Sequence, residues 1–133
     1  GPTSATWTEA HDSAGSTVTG EVWALAEGEQ GGPRAVETYI LVANTSPTAG
    51  SAKVTLLFED DTTAQIIVPL PANSRMNVNI GADFPQAAGR RFGAVIESLG
   101  ETPAQIVVER AMYSNAGGVT WAAGTNALAT RLR

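Results

Sequence analysis

The sequence predicts an all-β fold, a β-sandwich of about 7–9 mostly antiparallel strands, and three observations carry that expectation. Runs of about four to eight β-branched and apolar residues recur at roughly ten-residue spacing between clusters of Gly, Pro, Asn and Asp. Two of these runs read as half-buried strands with apolar residues at alternate positions, "KVTLLFE" at Lys53–Glu59 and "SRMNVNI" at Ser74–Ile80. No long stretch keeps the 3.6-residue period of an amphipathic helix.

In chain order, the first strand is expected at Glu21–Glu27 and the second at Thr38–Ala43. In Lys53–Glu59 the alternation puts Val54, Leu56 and Phe58 on one face, and Asp60-Asp61-Thr62-Thr63 supplies a hairpin tip before Ala64–Leu70. In Ser74–Ile80, Met76, Val78 and Ile80 face inward while Arg75, Asn77 and Asn79 face outward. "GADFPQAAGRR" is the longest irregular stretch, with room for one helical turn. Strands follow at Phe92–Leu99, Gln105–Met112 and Val119–Ala123, with a weaker one at Ala127–Leu132. The expected core is Val54, Leu56, Phe58, Met76, Val78, Ile96, Ile106 and Val108, and Trp23 is expected to join it.

Composition bounds the function. The chain's 133 residues with 43% apolar content make one domain with a real core. A net charge of −5, with Lys53 the only lysine, leaves no cationic stripe for nucleic acid or an anionic membrane surface. Absence of cysteine excludes disulfides, thiolate catalysis and zinc–thiolate sites. No apolar run approaches the roughly 20 residues of a membrane span, so no membrane insertion is expected. Gly1-Pro2 reads as a tag-cleavage scar, with any signal peptide outside this sequence. Residues 1–20 form an N-terminal arm before a domain at 21–133, and "SAGSTVTGEVW" (Ser13–Trp23) faintly echoes "AAGTNALATRL" (Ala122–Leu132). Such an echo makes the arm the closing segment of a preceding unit, able to pair as an edge strand.

No catalytic signature stands. "HDSAG" at His11–Gly15 holds the residue types of a hydrolase triad, but neighbours in an extended segment point to opposite faces and cannot relay a proton. His11 is the only histidine and "EDD" at Glu59–Asp61 the only acidic cluster, too few converging oxygens for calcium. Neither an enzyme, a metal site nor a cofactor is expected. Glu27, Glu109 and Arg110 sit among apolar neighbours, and a buried charge must be paired. Counting alternate positions puts Glu27 with Trp23 and Leu25, and Glu109 with Val107 and Gln105, with Arg110 or Arg75 as the bidentate partner. Two readings stay open: a structural ion pair, or the polar wall of a ligand cleft. Tyr113 and Trp121 flank "SNAGG", where a sugar ring would stack and Asn115 or Asn126 would hydrogen-bond its hydroxyls; alternatively the stretch is only a hairpin loop.

"VWALAEG" (Val22–Gly28), "ETYILVANTS" (Glu37–Ser46), "VPLPANSRMNVNI" (Val68–Ile80) and "IVVERAMYSNAGG" (Ile106–Gly118) together resemble a β-sandwich domain repeated in tandem in secreted or surface proteins of soil bacteria. More distantly they resemble the sensory rhodopsin transducers of cyanobacteria, whose wider superfamily is held to include domains that bind small, sugar-like molecules. Trp23, Ala26, Glu27, Gly28, Glu37, Thr38, Asn44, Arg75, Val107 and Val108 match the transducer pattern, whereas Val36, Ala111 and Met112 depart from it. The resemblance implies a secreted or cell-surface, non-catalytic structural or interaction repeat, or else a small-molecule or carbohydrate-binding domain. Its implied partners are neighbouring repeats, surface proteins or a sugar, and a homo-oligomer is compatible with it.

Overall fold

The computed structural model describes residues 18–114 and 123–133. Among them lie β1 (Val22–Gln30), β2 (Glu37–Asn44), β3 (Gly50–Phe58), β4 (Thr63–Leu70), β5 (Ser74–Asn79), β6 (Arg90–Ser98), β7 (Ile106–Ser114), β8 (Ala123–Leu128) and β9 (Thr130–Arg131). A single helical turn, α1 (Ile80–Asp83), and a 3-10 turn (Pro85–Ala87) fill the irregular stretch before β6. The strands form two antiparallel sheets, one in the order β4-β3-β6-β1-β9 and the other β5-β2-β7-β8. The expected β-sandwich is the fold.

Alternation decides which face of each strand is inside. Val54, Leu56 and Phe58 of β3 oppose Ile96, Ala94 and Phe92 of β6, and Ile40 and Val42 of β2 oppose Val78 and Met76 of β5. These side chains meet between the sheets with Trp23, Leu25, Ile106 and Val108, all below 10% exposed except Met76, which is half-buried at the edge on β5. Asn44 is a buried polar residue of β2 that satisfies loops: its Nδ2 donates toward the carbonyls of Thr48 and Pro71 at 2.9 and 3.1 Å, and its Oδ1 accepts from the Ser46 hydroxyl at 2.8 Å. At the β3–β4 tip, Thr62 donates to Asp60, which also pairs with Arg90 at 2.8 Å; the Thr62 hydrogen bonds, more than Arg90, hold the Asp60 carboxyl below its usual range. The acidic triplet Glu59–Asp61 is a solvated hairpin end.

The closing segment departs from expectation. The strand expected at Val119–Ala123 lies outside the described residues except for Ala123, and the one expected at Ala127–Leu132 is broken at Ala129. β8 pairs with β7 in one sheet and β9 with β1 in the other, so the chain must leave one ladder before joining the second. Ala129 makes that crossing buried, its N–H donating to the Val108 carbonyl at 2.9 Å. The incoming chain crosses at the same edge: Gly20 exchanges both backbone hydrogen bonds with Ile106, at 3.0 and 2.9 Å, before β1 enters the opposite sheet. Residues 1–17 of the expected arm, including Trp7, His11, Asp12 and Ser13, lie outside the described residues.

Candidate functional site

The site is assembled by the register of the four-stranded sheet. Opposed residues of an antiparallel pair share a face, about 5 Å apart, with diagonal neighbours at about 7–8 Å. Val42 opposes Val108 in the core, so Leu41 opposes Glu109 on the outer face. The same count places Ala43 with Val107, Tyr39 with Ala111 and Glu37 with Tyr113 on that outer face. β5 adds Arg75, Asn77 and Asn79, and β8 adds Asn126 beside Ala111 and Leu128 beside Glu109. Four of the expected site residues, Arg75, Glu109, Tyr113 and Asn126, therefore come together on one sheet face.

Glu109 stands out chemically. Its side chain is 2% exposed, and among the described residues its Oε2 meets no hydrogen-bond donor. Desolvation pushes its carboxyl up to about 7, because an ionised group loses water here and receives no compensating charge. The partners expected for it are elsewhere. Arg110, its neighbour along the strand, opposes Ile40 and therefore points between the sheets, where Nη1 donates to the Glu27 carbonyl and Nε is buried without a partner among the described residues. Arg75 is exposed on β5, separated from β7 by the whole of β2.

Glu27 is also corrected. It was expected to share the inward side with Trp23 and Leu25, but the β1–β6 register shifts between Leu25 and Gly28. That bulge inserts one extra residue, so Gly28 takes the inward position and Glu27 is exposed. Gly28 suits the place because a Cβ there would lie 2.5 Å from Cε1 of Phe92. Glu27 contributes its carbonyl to Arg110 and its carboxyl to solvent, so it belongs to no cleft with Glu109.

Around Ala111, a small and buried floor, the outer face sets Tyr39 on β2, Asn126 on β8, and Glu109 and Tyr113 on β7 itself. Tyr39 and Tyr113 meet edge to face, ring centroids 6.0 Å apart and planes at 72°. Burial, then the nearby Glu37 charge and Tyr113, raises the Tyr39 hydroxyl above its usual range. A depression of about 440 Å³ opens at the Tyr113 end between Gln30, Val36, Glu37 and Ser114. A second, of about 520 Å³, opens at the other end between Ala43, Asn73 and Arg75. Asn115 and Trp121, the other residues expected here, lie outside the described residues. Tyr39, Leu41, Asn77 and Asn79 are members that sequence reasoning missed: both parities of "ETYILVAN" are apolar, so only the register tells which side is outside.

Several residues that match the transducer pattern have structural work in this fold. Trp23 is core, Gly28 accommodates Phe92, Asn44 holds loops, and Thr38 donates its hydroxyl to the Glu29 carbonyl and its N–H to Gln30 at 3.1 Å. No family model matches the chain, and no curated protein matches it. Among solved structures it is similar to the Thermotoga maritima 1070 protein, with a TM-score of 0.70 and 11% identity over 84% of this chain and 94% of that one. It is also similar to the Anabaena sensory rhodopsin transducer, with a TM-score of 0.57 and 21% identity over 70% of this chain and 88% of the other. At such identities the likeness is one of fold, and the chain is a β-sandwich distantly similar in architecture to the sensory rhodopsin transducer.

Proposed function

We propose that this chain is a non-catalytic interaction module of a secreted or cell-surface bacterial protein, and that the outer face of its four-stranded sheet receives an extended polypeptide segment. The observation that carries the reading is Glu109, a carboxyl group almost without exposure and with an oxygen that has no partner among the described residues, on a face that points away from the core. Leaving such a group unpaired costs about 1–3 kcal/mol, which a pure spacer has no reason to bear. A docked segment supplies backbone N–H donors to that oxygen, and the small side chains Ala43 and Ala111 let a backbone approach closely. The sequence adds no nucleophile–base pair that would favour catalysis.

A second reading, a small polar or sugar-like ligand, is favoured by the tyrosine pair bordering the depression at Glu37 and Tyr113. One screen separates the two. The immobilised full chain is challenged with a random-peptide display library and with a panel of soluble oligosaccharides, and hits are retested on Leu41→Asp and Tyr113→Ala variants. Peptides that bind at least tenfold more weakly to Leu41→Asp bear out the interaction module. Sugars that are lost with Tyr113→Ala alone favour the second reading, and hits indifferent to both variants contradict any role for this face.

A further inference from the structure

We infer that the free edge of β4 is a pairing site for a second copy of this chain, the two β4 strands running antiparallel about a two-fold axis at Ile67. β4 ends the five-stranded sheet, and among the described residues nothing pairs beyond it. Edge strands are ordinarily blunted by charge, by brevity or by a bulge. β4 has none of these devices: no charged residue stands between Thr62 and Ser74, the strand is eight residues long, and its register with β3 runs unbroken from Leu57 opposite Thr63 to Gly50 opposite Leu70. The other edges differ, since β9 has two residues, β5 carries Arg75 and β8 begins at the limit of the described residues. Ile67, at the middle of β4, is 63% exposed, more than any other large hydrophobic residue described.

Backbone geometry sets which groups the edge offers. The Phe58 N–H donates to the Thr62 carbonyl at 2.9 Å, so by alternation Ala64, Ile66, Val68 and Leu70 bond to β3, while Thr63, Gln65, Ile67 and Pro69 turn their backbone groups to the open side. Pro69 fits that count, because its missing N–H falls where no β3 carbonyl waits. With Ile67 opposite Ile67 of the second copy, the two residues exchange both backbone hydrogen bonds, and each Gln65 N–H donates to the other copy's Pro69 carbonyl. The same register sets the two exposed isoleucines together on the outer side and partly buried Ile66 against the other copy's Val68 on the inner side, so apolar groups meet on both faces of the joint. Antiparallel pairing also sends the acidic tips, Glu59–Asp61, to opposite ends of the joint, which matters for copies that each carry a net charge of −5. A second copy is the occupant because its own β4 supplies this uncharged, apolar match. Opposed residues share a face, so both four-stranded sheets lie on one side of the joined sheet and present their outer faces in one direction; the joint does not depend on what those faces bind. The outer face of the five-stranded sheet stays in water.

The mass of the intact chain in solution tests the joint. Sedimentation equilibrium should give 13.7 kDa at low concentration, rising towards twice that value by about 1 mM, and Ile67→Lys should weaken association at least tenfold. Leu57→Lys, which puts the same charge one strand inward on the same outer face, should leave association unchanged. A mass that stays at 13.7 kDa up to that concentration overturns the inference. So does a Leu57→Lys variant that dissociates as readily as Ile67→Lys, because sheet faces would then be stacking and edges would not be pairing. An independent measurement uses the absence of cysteine from the chain: opposed, hydrogen-bonded strand residues have Cα atoms about 5.5 Å apart, within disulfide reach. Mild oxidation of Ile67→Cys should therefore give a disulfide-linked dimer while Leu57→Cys stays monomeric, and equal yields from the two variants would contradict the pairing. None of these readouts involves the outer face of the four-stranded sheet, so failure here leaves the peptide screen untouched, and failure of the screen leaves this result standing.

Discussion

Glu109 shows how much one residue decides. Its carboxyl has an ordinary value of 4.5 in the unfolded chain and about 7 in the folded one, so between those values the folded state keeps a proton that the unfolded state has released. Stability from this group is fully present below about pH 4.5 and is lost as pH rises through about 7. Among the described residues the other titratable groups on the face are Arg75, Glu37, Tyr39 and Tyr113, and none of them hydrogen-bonds to Oε2. Glu109→Gln should therefore flatten the pH profile of chemical denaturation, removing a loss on the order of 3 kcal/mol between pH 4.5 and 7.5. Parallel profiles for wild type and variant would show that the carboxyl ionises freely. The burial of Glu109 was legible in the sequence, because it follows directly on three consecutive apolar residues, Ile106, Val107 and Val108. Its neighbours were not: they come from β2 and β8, and only the register brings Leu41 and Leu128 beside it.

At the scale of elements, the strands with apolar residues at every second position were the readable ones. β3 and β5 put the expected side chains inward, and only Met76 is less than fully buried, because β5 is an edge strand. β1 defeated the same count. A bulge between Leu25 and Gly28 turns Glu27 outward and opens a carbonyl that Arg110 reaches from the other sheet, joining the two layers. Bulges leave little trace in composition, and here the trace is a glycine. The same bulge sets Gly28 against Phe92, whose ring packs edge to face on Phe58 at 6.5 Å with the Arg90 guanidinium 3.8 Å over Phe58. Gly28→Ala has to displace that stack and should cost about 1–3 kcal/mol by thermal or urea denaturation. A cost under about 0.5 kcal/mol would mean that Phe92 has room to move and that the bulge does not depend on glycine.

The whole molecule is asymmetric across its two layers. The outer face of the five-stranded sheet is an ordinary solvated surface, with Leu57 44% and Ile67 63% exposed beside the Lys53–Glu97 pair. The outer face of the four-stranded sheet holds an apolar strip, a tyrosine pair and a carboxyl with one oxygen unpartnered among the described residues, and Val107, Glu109 and Ala111 on β7 are buried. Sequence patterning predicted the sandwich but could not predict this difference, because a half-buried outer strip reads like a second core face. Hydroxyl-radical footprinting of the intact chain at neutral pH tests the asymmetry most directly. The account predicts rapid oxidation of Leu57 and Ile67 and strong protection of Val107; equal reactivity on the two outer faces would contradict it.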